Sequence, residues 1–454
     1  MVTQGSFSVV SQLHRRLLDA RANTDRLFQI VREDSLYERP IPERHRLIFY
    51  VGHLEAFDWN LFRDYLLSLK TFSPGFDQLF AFGIDPVGGE LPSDQPQEWP
   101  SVVEVRNYVQ IVRSRIDNAL ESGAAALEAK SSVSAVETIL QVAVEHRLMH
   151  AETLAYMLHQ LPHMRKYPQR QAESAAGAVE NEFVNIPAGN VTLGLPRTES
   201  SSFGWDNEFE AVTERVAAFR ISKYMVTNGE FLRFLQAGGY ENSDYWPPDD
   251  WQWKEKYGVR HPVFWVPSGA GWMYRGMFEE TPLAMNWPVY VSHAEASAYA
   301  RWSKTALPTE AQWQRAAYGT HLKSERAFPW GTAAPKSSLG NFDFTRWDPA
   351  PVNAYPLNKS TFGVVGQLGN GWEWTSTPFA PFPGFQAFEF YPGYSANFFD
   401  GRHFVMKGCW NQQLCGLGWQ RTIAWLILFV KPRCSQLVYR KRSLSRTATS
   451  ALLF

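Results

Sequence analysis

The sequence predicts an α-helical bundle over residues 1–165 followed by an irregular α+β domain over 181–407, and three observations predict it. Apolar residues recur every three to four positions up to about residue 165. A polar, Ala/Gly-rich stretch at 166–180 (KYPQRQAESAAGAVE) then reads as a linker. Beyond it Trp, Tyr, Phe and Gly become dense and the apolar pattern shortens to strand length. A chain of 454 residues is also longer than one ordinary core supports.

In order along the chain, a first helix is expected over Gln12 to Val31. Leu47, Tyr50, Leu54, Phe57 and Leu61 are spaced 3, 4, 3, 4 and trace one apolar face of a second. After a Pro-rich loop from Asp85 to Pro100, Val102 to Leu120 repeats the pattern. Ile139, Ala143, His146, His150, Thr153 and Met157 form a further stripe ending near Pro162. Four helices joined by loops predict an antiparallel four-helix bundle. In the second domain, helices are expected at Asn228–Ala237, His293–Thr305 and Thr309–Tyr318, with short strands and ordered loops between them.

Composition narrows the function classes. Apolar residues make up 45% and charged residues 20%, as in a globular protein, and the net charge of −1 gives no electrostatic reason to expect nucleic acid or an anionic membrane as partner. The longest apolar run, Ile423 to Val430, is too short to span a bilayer, and the first residues lack a signal-peptide layout. A cytoplasmic protein is the expectation. The only cysteines, Cys409, Cys415 and Cys434, cannot build a disulfide framework.

The strongest chemical signal is His146-Arg-Leu-Met-His150-Ala-Glu152. Histidines at i and i+4 lie one turn apart on one helix face and can converge on one ion, or they can be a hydrogen-bonded core pair. His53, flanked at i±4 by Phe49 and Phe57, sits beside the apolar face of the second helix. A ligand from one helix plus an i, i+4 pair from another is a usual way to build a metal site in a bundle. Imidazole suits iron, zinc, copper and nickel alike, so the ligand type leaves the metal open. Glu152 points away from the site on an ideal helix and reads as a supporting group, and His159 and His163 fall off the stripe and read as surface residues.

At these residues a resemblance becomes specific. Gly52-His53 and HxxxHxE at 146–152 resemble the DinB-like domain of ergothioneine-type sulfoxide synthases, the hercynine oxygenase family. The second half resembles the formylglycine-generating-enzyme fold, which is related to C-type lectins. The matching segments are FVNIPAGNVTLG at 183–194, KYMVTNGEFLRFL at 223–235, NWPVYVSHAEASAYARW at 286–302, LPTEAQWQRAAYG at 307–319, FPWG at 328–331 and LGNGWEWTSTPFAPFPGF at 368–385. The resemblance implies Fe(2+) held by His53, His146 and His150, and oxidative C–S bond formation between hercynine (trimethylhistidine) and cysteine or γ-glutamylcysteine with O2. It also implies that the second domain closes the cavity and recognises the amino-acid ends of the substrates. A tyrosine from a loop comparable to 390–395 is implied as proton donor, which makes Tyr391 and Tyr394 the catalytic candidates. Met149, Phe399 and Asp400 are the candidate substrate contacts, while Trp372, Glu373 and Trp374 read as core and supporting residues.

Three departures from the family pattern bear on substrate. Met149 stands where enzymes acting on hercynine commonly carry Gln. The loop AFGIDPVGGELPSDQPQEW is acidic and offers no cation to the extra carboxylate of γ-glutamylcysteine, which favours plain cysteine. From Gly408 to Phe454 the chain contains no Asp or Glu and lacks the family's closing strands, pointing to a shifted reading frame, with a basic extension as the alternative. An ovothiol-type synthase, a selenoneine-type synthase, a DinB-like metal-dependent thiol S-transferase and a non-catalytic binding module are the other readings. Formylglycine generation is not expected, because the only cysteines lie in that tail.

Overall fold

The computed structural model describes residues 8–409, apart from 68, 84–91, 131–132, 170–178, 198–202 and 270. The chain divides into two compact units, with the boundary between Gln169 and Arg170.

The first unit is helical: α1 (Val9–Gln29), α2 (Leu47–Phe62), α3 (Pro74–Phe82), α4 (Val102–Lys130) and α5 (Val133–Gln160). The long helices α1, α2, α4 and α5 fall where the stripes predict them, and α1 packs along α5 while α2 packs along α4. The short α3 was not anticipated. It begins with Pro74, whose fixed φ suits a first helical turn, and it packs on α2. Phe80 from α3 is buried in the core, where it closes on Gly52 of α2.

His159 corrects the sequence reading. It was expected on the surface and is instead 4% exposed. The last turn of α5 is covered by the chain that follows, where Lys166 Nζ donates to the Leu158 carbonyl at 2.7 Å and Lys166 bridges to Val31. Residue 166 is therefore part of the helical unit and not of a free linker. His163 is half-buried.

The second unit is built from short antiparallel pairs. Strand β1 (Phe183–Ile186), β2 (Gly189–Leu193), β3 (Val212–Val216) and β4 (Phe219–Ser222) form two hairpin-like ladders, β1 with β4 and β2 with β3. Helices α6 (Asn228–Gln236) and α7 (Pro248–Lys256) follow, then a three-stranded sheet of β5 (Trp265–Ser268), β6 (Gly271–Arg275) and β7 (Glu280–Pro282). Helices α8 (His293–Trp302) and α9 (Glu310–Tyr318) lead to the paired strands β8 (Gly371–Pro378) and β9 (Phe404–Cys409). Three helices open with a capping box, Thr227/Glu230, Ser292/Glu295 and Thr309/Gln312, which satisfies backbone donors that would otherwise be orphaned. The core between them is aromatic: Phe231, Phe234, Tyr240, Trp265 and Tyr274 pack as one cluster. Residues 410–454, on which the reading-frame expectation falls, lie outside the described residues.

Candidate metal centre

Helix α2 is apolar almost throughout (LIFYVGHLEAFDWNLF), so nearly every side chain on it is buried, His53 included. Helix α5 supplies His146 and His150 from one face. The three ring centroids are 5.3 Å (His53–His146), 4.9 Å (His53–His150) and 4.5 Å (His146–His150) apart. One ligating atom from each ring lies within 4.8 Å of the other two. His53 and His146 are each 1% exposed and His150 is half-buried, so His150 is the most accessible of the three.

Aromatic rings wall the two inner imidazoles. Phe57 stacks on His146 at 3.5 Å with 11° between planes, and Phe49 stacks on His53 at 4.7 Å. Tyr50 lies 5.7 Å from His150. The Nδ1 of His53 lies 2.7 Å from the Phe80 carbonyl oxygen, so Nδ1–H donates there and the lone pair is left on Nε2.

Electrostatics keep these rings neutral. Burial pushes the His53 imidazole down to about 4, against the Phe80 hydrogen bond, with His45 and Arg147 adding repulsion. Burial likewise holds His146 and His150 well below the ordinary histidine range, reinforced by the neighbouring histidines and Arg147. A neutral imidazole is the form that ligates a metal. The buried Nδ1 of His150 has no hydrogen-bond partner among the described residues. Leaving such an atom unsatisfied costs free energy that a coordinated ion would recover. The donor set fits an iron(II) site, as it fits other imidazole-binding metals.

Sequence reasoning missed the polar frame around this trio. Arg147, one residue after His146, reaches across to α2 and meets Glu55 and Asp58, with all three side chains buried. The signal was present: Glu55 and Asp58 interrupt an otherwise apolar helix. Met149 is half-buried one residue before His150, and its carbonyl accepts from Thr153 Oγ1 at 3.2 Å. Glu152 is buried on α5.

The remaining candidates lie in the second unit. Tyr394 stacks on Trp205 at 3.9 Å and 18°, Tyr391 lies 5.4 Å from Tyr394, and both are buried. Next to them the carboxylate of Asp206, which sequence reasoning also missed, accepts from Ser395 Oγ at 2.6 Å. Burial pushes that carboxyl up to about 6. Burial also raises the Tyr391 phenol, and Asp206 adds to the shift. Phe399 packs between Phe379 and Phe385, 5.0 Å from each. Asp400 is exposed, accepts from the Arg402 backbone N–H at 2.8 Å and pairs with His403 Nδ1 at 2.9 Å. It lines a cleft of about 720 Å³ with His293, Trp374 and Phe404.

Comparison with known proteins matches residues 16–154 to the DinB superfamily and residues 168–436 to the sulfatase-modifying factor enzyme 1-like domain. The second match runs past residue 407. The hercynine oxygenase of Mycolicibacterium thermoresistibile is 31% identical over 408 residues, covering 86% of this chain and 85% of that protein. The chain belongs to the hercynine oxygenase family. The hercynine oxygenase of Mycolicibacterium smegmatis is 39% identical over 226 residues, 49% of this chain and 51% of that protein. Ergothioneine biosynthesis protein 1 of Neurospora crassa is 28% identical over 470 residues, 84% of this chain and 52% of that protein. The chain thus spans about half the length of the M. smegmatis and N. crassa relatives. Family membership explains why a helical bundle with a histidine trio is fused to a sulfatase-modifying-factor-like domain. Among the described residues no helix is long and apolar enough to cross a membrane.

Proposed function

We propose that this chain is an iron(II)- and O2-dependent sulfoxide synthase that joins the sulfur of cysteine to the imidazole of hercynine in ergothioneine biosynthesis. The observation that carries the reading is the trio His53, His146 and His150, brought within 4.8 Å on two helices of a bundle that ends in a sulfatase-modifying-factor-like domain. The names of the relatives, hercynine oxygenase and ergothioneine biosynthesis protein 1, support the acceptor and the pathway.

Iron(II) bound there supplies O2 chemistry and a point at which thiolate and imidazole can be held together. The residues of the chain do the rest. The Phe80 carbonyl fixes the His53 tautomer, burial keeps the three imidazoles neutral, and Phe49 and Phe57 keep water from the inner rings. Tyr391 and Tyr394 are the proposed proton donors. Met149, Phe399 and Asp400 are proposed to contact substrate.

The test is anaerobic loading with iron(II), then O2, with products identified by mass spectrometry against histidine, hercynine, cysteine and γ-glutamylcysteine. A sulfoxide of the hercynine–cysteine adduct is expected. Iron-loaded protein that forms no adduct from any pair defeats the proposal, and product from histidine in preference to hercynine reassigns it to an ovothiol-type synthase.

A further inference from the structure

Behind the histidine trio lies a second constellation that the proposed chemistry does not use. Arg147 Nη1 and Nη2 donate to Glu55 Oε1 and Oε2 at 3.0 and 2.9 Å, a two-bonded fork between α5 and α2. Arg147 Nη2 also donates to Asp58 Oδ2 at 2.6 Å and to the Leu54 carbonyl at 3.0 Å. From α4, Arg113 Nε and Nη2 donate to Glu55 Oε1 at 2.9 and 2.7 Å, and its Nη1 and Nη2 donate to Asp25 of α1 at 2.7 and 2.8 Å. Arg21 of α1 lies 3.8 Å from Glu55 and bonds Asp117 of α4 at 2.6 Å. All four long helices therefore meet on one carboxylate, Glu55, two residues from His53.

A network of this kind is a poor way to gain stability. Desolvating the charges costs as much as their attraction returns, and a well-packed apolar cluster of the same volume is often the more stable choice. Its distinctive property is geometric. The ring contacts between α2 and α5, Phe57 on His146 and Tyr50 near His150, are non-directional packing that does not by itself hold one axial register. A guanidinium fork does, because both bonds are lost together when the helices shift by one residue. Arg147 is adjacent to His146, and Glu55 is one position beyond Leu54, which follows His53. Locking the fork thus locks the axial position and rotation of His53 relative to the His146/His150 pair.

We propose that Arg147 is a positioning residue of the metal centre, acting through Glu55 and Asp58 to hold α2 in the register that lets His53 complete the trio. The inference rests on the three-histidine reading. It is distinct from the orientation of His53 by Phe80, which fixes the ring and not the helix.

The test uses the full chain and cobalt(II) as a spectroscopic probe, titrated without O2. Arg147→Lys retains the charge and loses the fork, so it is expected to fold and to bind cobalt about 10–100-fold more weakly, the usual cost of losing an outer partner of a metal ligand. Its visible d–d bands should also change, because a displaced His53 changes the coordination sphere. Leu120→Ala opens a cavity in the same bundle outside the network and serves as the comparison. It should lower the thermal midpoint with cobalt affinity and bands unchanged. If Arg147→Lys keeps wild-type affinity and bands, Arg147 is merely structural and the inference is overturned. If wild-type protein and His146→Ala alike bind no cobalt, the three-histidine reading itself falls, and the inference with it.

Discussion

The ring of His53 and the main chain of Phe80 are joined by a 2.7 Å hydrogen bond from Nδ1 to the carbonyl oxygen, across the gap between α2 and α3. That contact depends on Gly52. A Cβ at residue 52 would overlap the Phe80 ring, which is fully buried and has no room to retreat. Gly52→Ala should therefore push α3 off α2, cost about 1–3 kcal/mol through overpacking and release the His53 ring from its fixed tautomer. Metal content by elemental analysis and the thermal midpoint should both drop. A variant that loses stability but retains its full metal complement would show that the Phe80 contact is dispensable for the site.

Replacing any one of His53, His146 and His150 by Ala should remove more affinity than the roughly 10–100-fold lost with an outer-shell partner. The effect is best read as a linkage. At a free metal concentration 100 times Kd, binding adds about 2.7 kcal/mol to the folded state. Wild type should gain that increment in thermal denaturation, and each alanine variant should gain little. Full metal-dependent stabilisation of His53→Ala would remove His53 from the ligand set.

Asp206 gives a pH dependence in the second unit. Its carboxyl is raised by burial from 3.8 to about 6, in spite of the Ser395 hydrogen bond. Between those values the folded chain holds a proton that the unfolded chain has lost, so stability falls as pH rises from about 4 to 6. The loss is at most about 3 kcal/mol, at 1.36 kcal/mol per pH unit. Asp206→Asn can still accept from Ser395 and carries no charge, so it should flatten this slope and gain most against wild type above pH 6. Urea unfolding at pH 4.5 and 7.5 measures it. An equal difference between variant and wild type at both pH values would mean Asp206 is not the titrating group.

The histidine trio was legible because spacing on two helices is a local property. His146 and His150 are one turn apart in any helix, and the stripe through Ile139 and Ala143 already turned that face inward. The bundle itself followed from the same periodicity. What escaped were features set by contacts distant in sequence or by weak local pattern. The sequence PDDWQWKEK forms α7, yet its mixed polar and aromatic residues have no clear amphipathic period, and its start is fixed by Pro247 and Pro248. His159 lies off the stripe and is buried in the last turn of α5, where Lys166 folds back onto the Leu158 carbonyl. Arg147, Glu55 and Arg113 are ordinary charges in isolation, and only the packing of four helices brings them onto one carboxylate. Tyr391 and Tyr394 were singled out through resemblance alone, and the stacking of Tyr394 on Trp205, nearly two hundred positions earlier, has no local signature.

A preference for cysteine over γ-glutamylcysteine is expected from the way two arginines are engaged. The two thiols differ by a glutamyl group carrying an additional carboxylate, and binding it needs a cation with spare donors. The acidic loop after α3 supplies none from its own sequence between Asp85 and Trp99. The arginines nearest its described part, Arg39 and Arg46, are both bound to Asp94: Arg39 through Nη2, with Nη1 on the Pro92 carbonyl at 2.6 Å, and Arg46 through Nε at 2.8 Å. Arg46 Nη1 is further held by the Tyr37 carbonyl at 2.7 Å. Trp99 Nε1 donates to the same carboxylate at 2.7 Å, so Asp94 anchors the loop and occupies its cations. Freeing either arginine would take one charge partner from the buried Asp94 carboxylate, which offsets what one new ion pair returns. The expected result is a kcat/KM for cysteine at least about tenfold above that for γ-glutamylcysteine, the equivalent of about 1.4 kcal/mol. Steady-state kinetics with both thiols at saturating hercynine and O2 measures it. A larger kcat/KM for γ-glutamylcysteine would reverse the assignment and direct attention to Arg44, whose guanidinium lies 5.9 Å from the centre of the Tyr156 ring on α5. Arg44→Ala should then raise KM for γ-glutamylcysteine and leave that for cysteine unchanged.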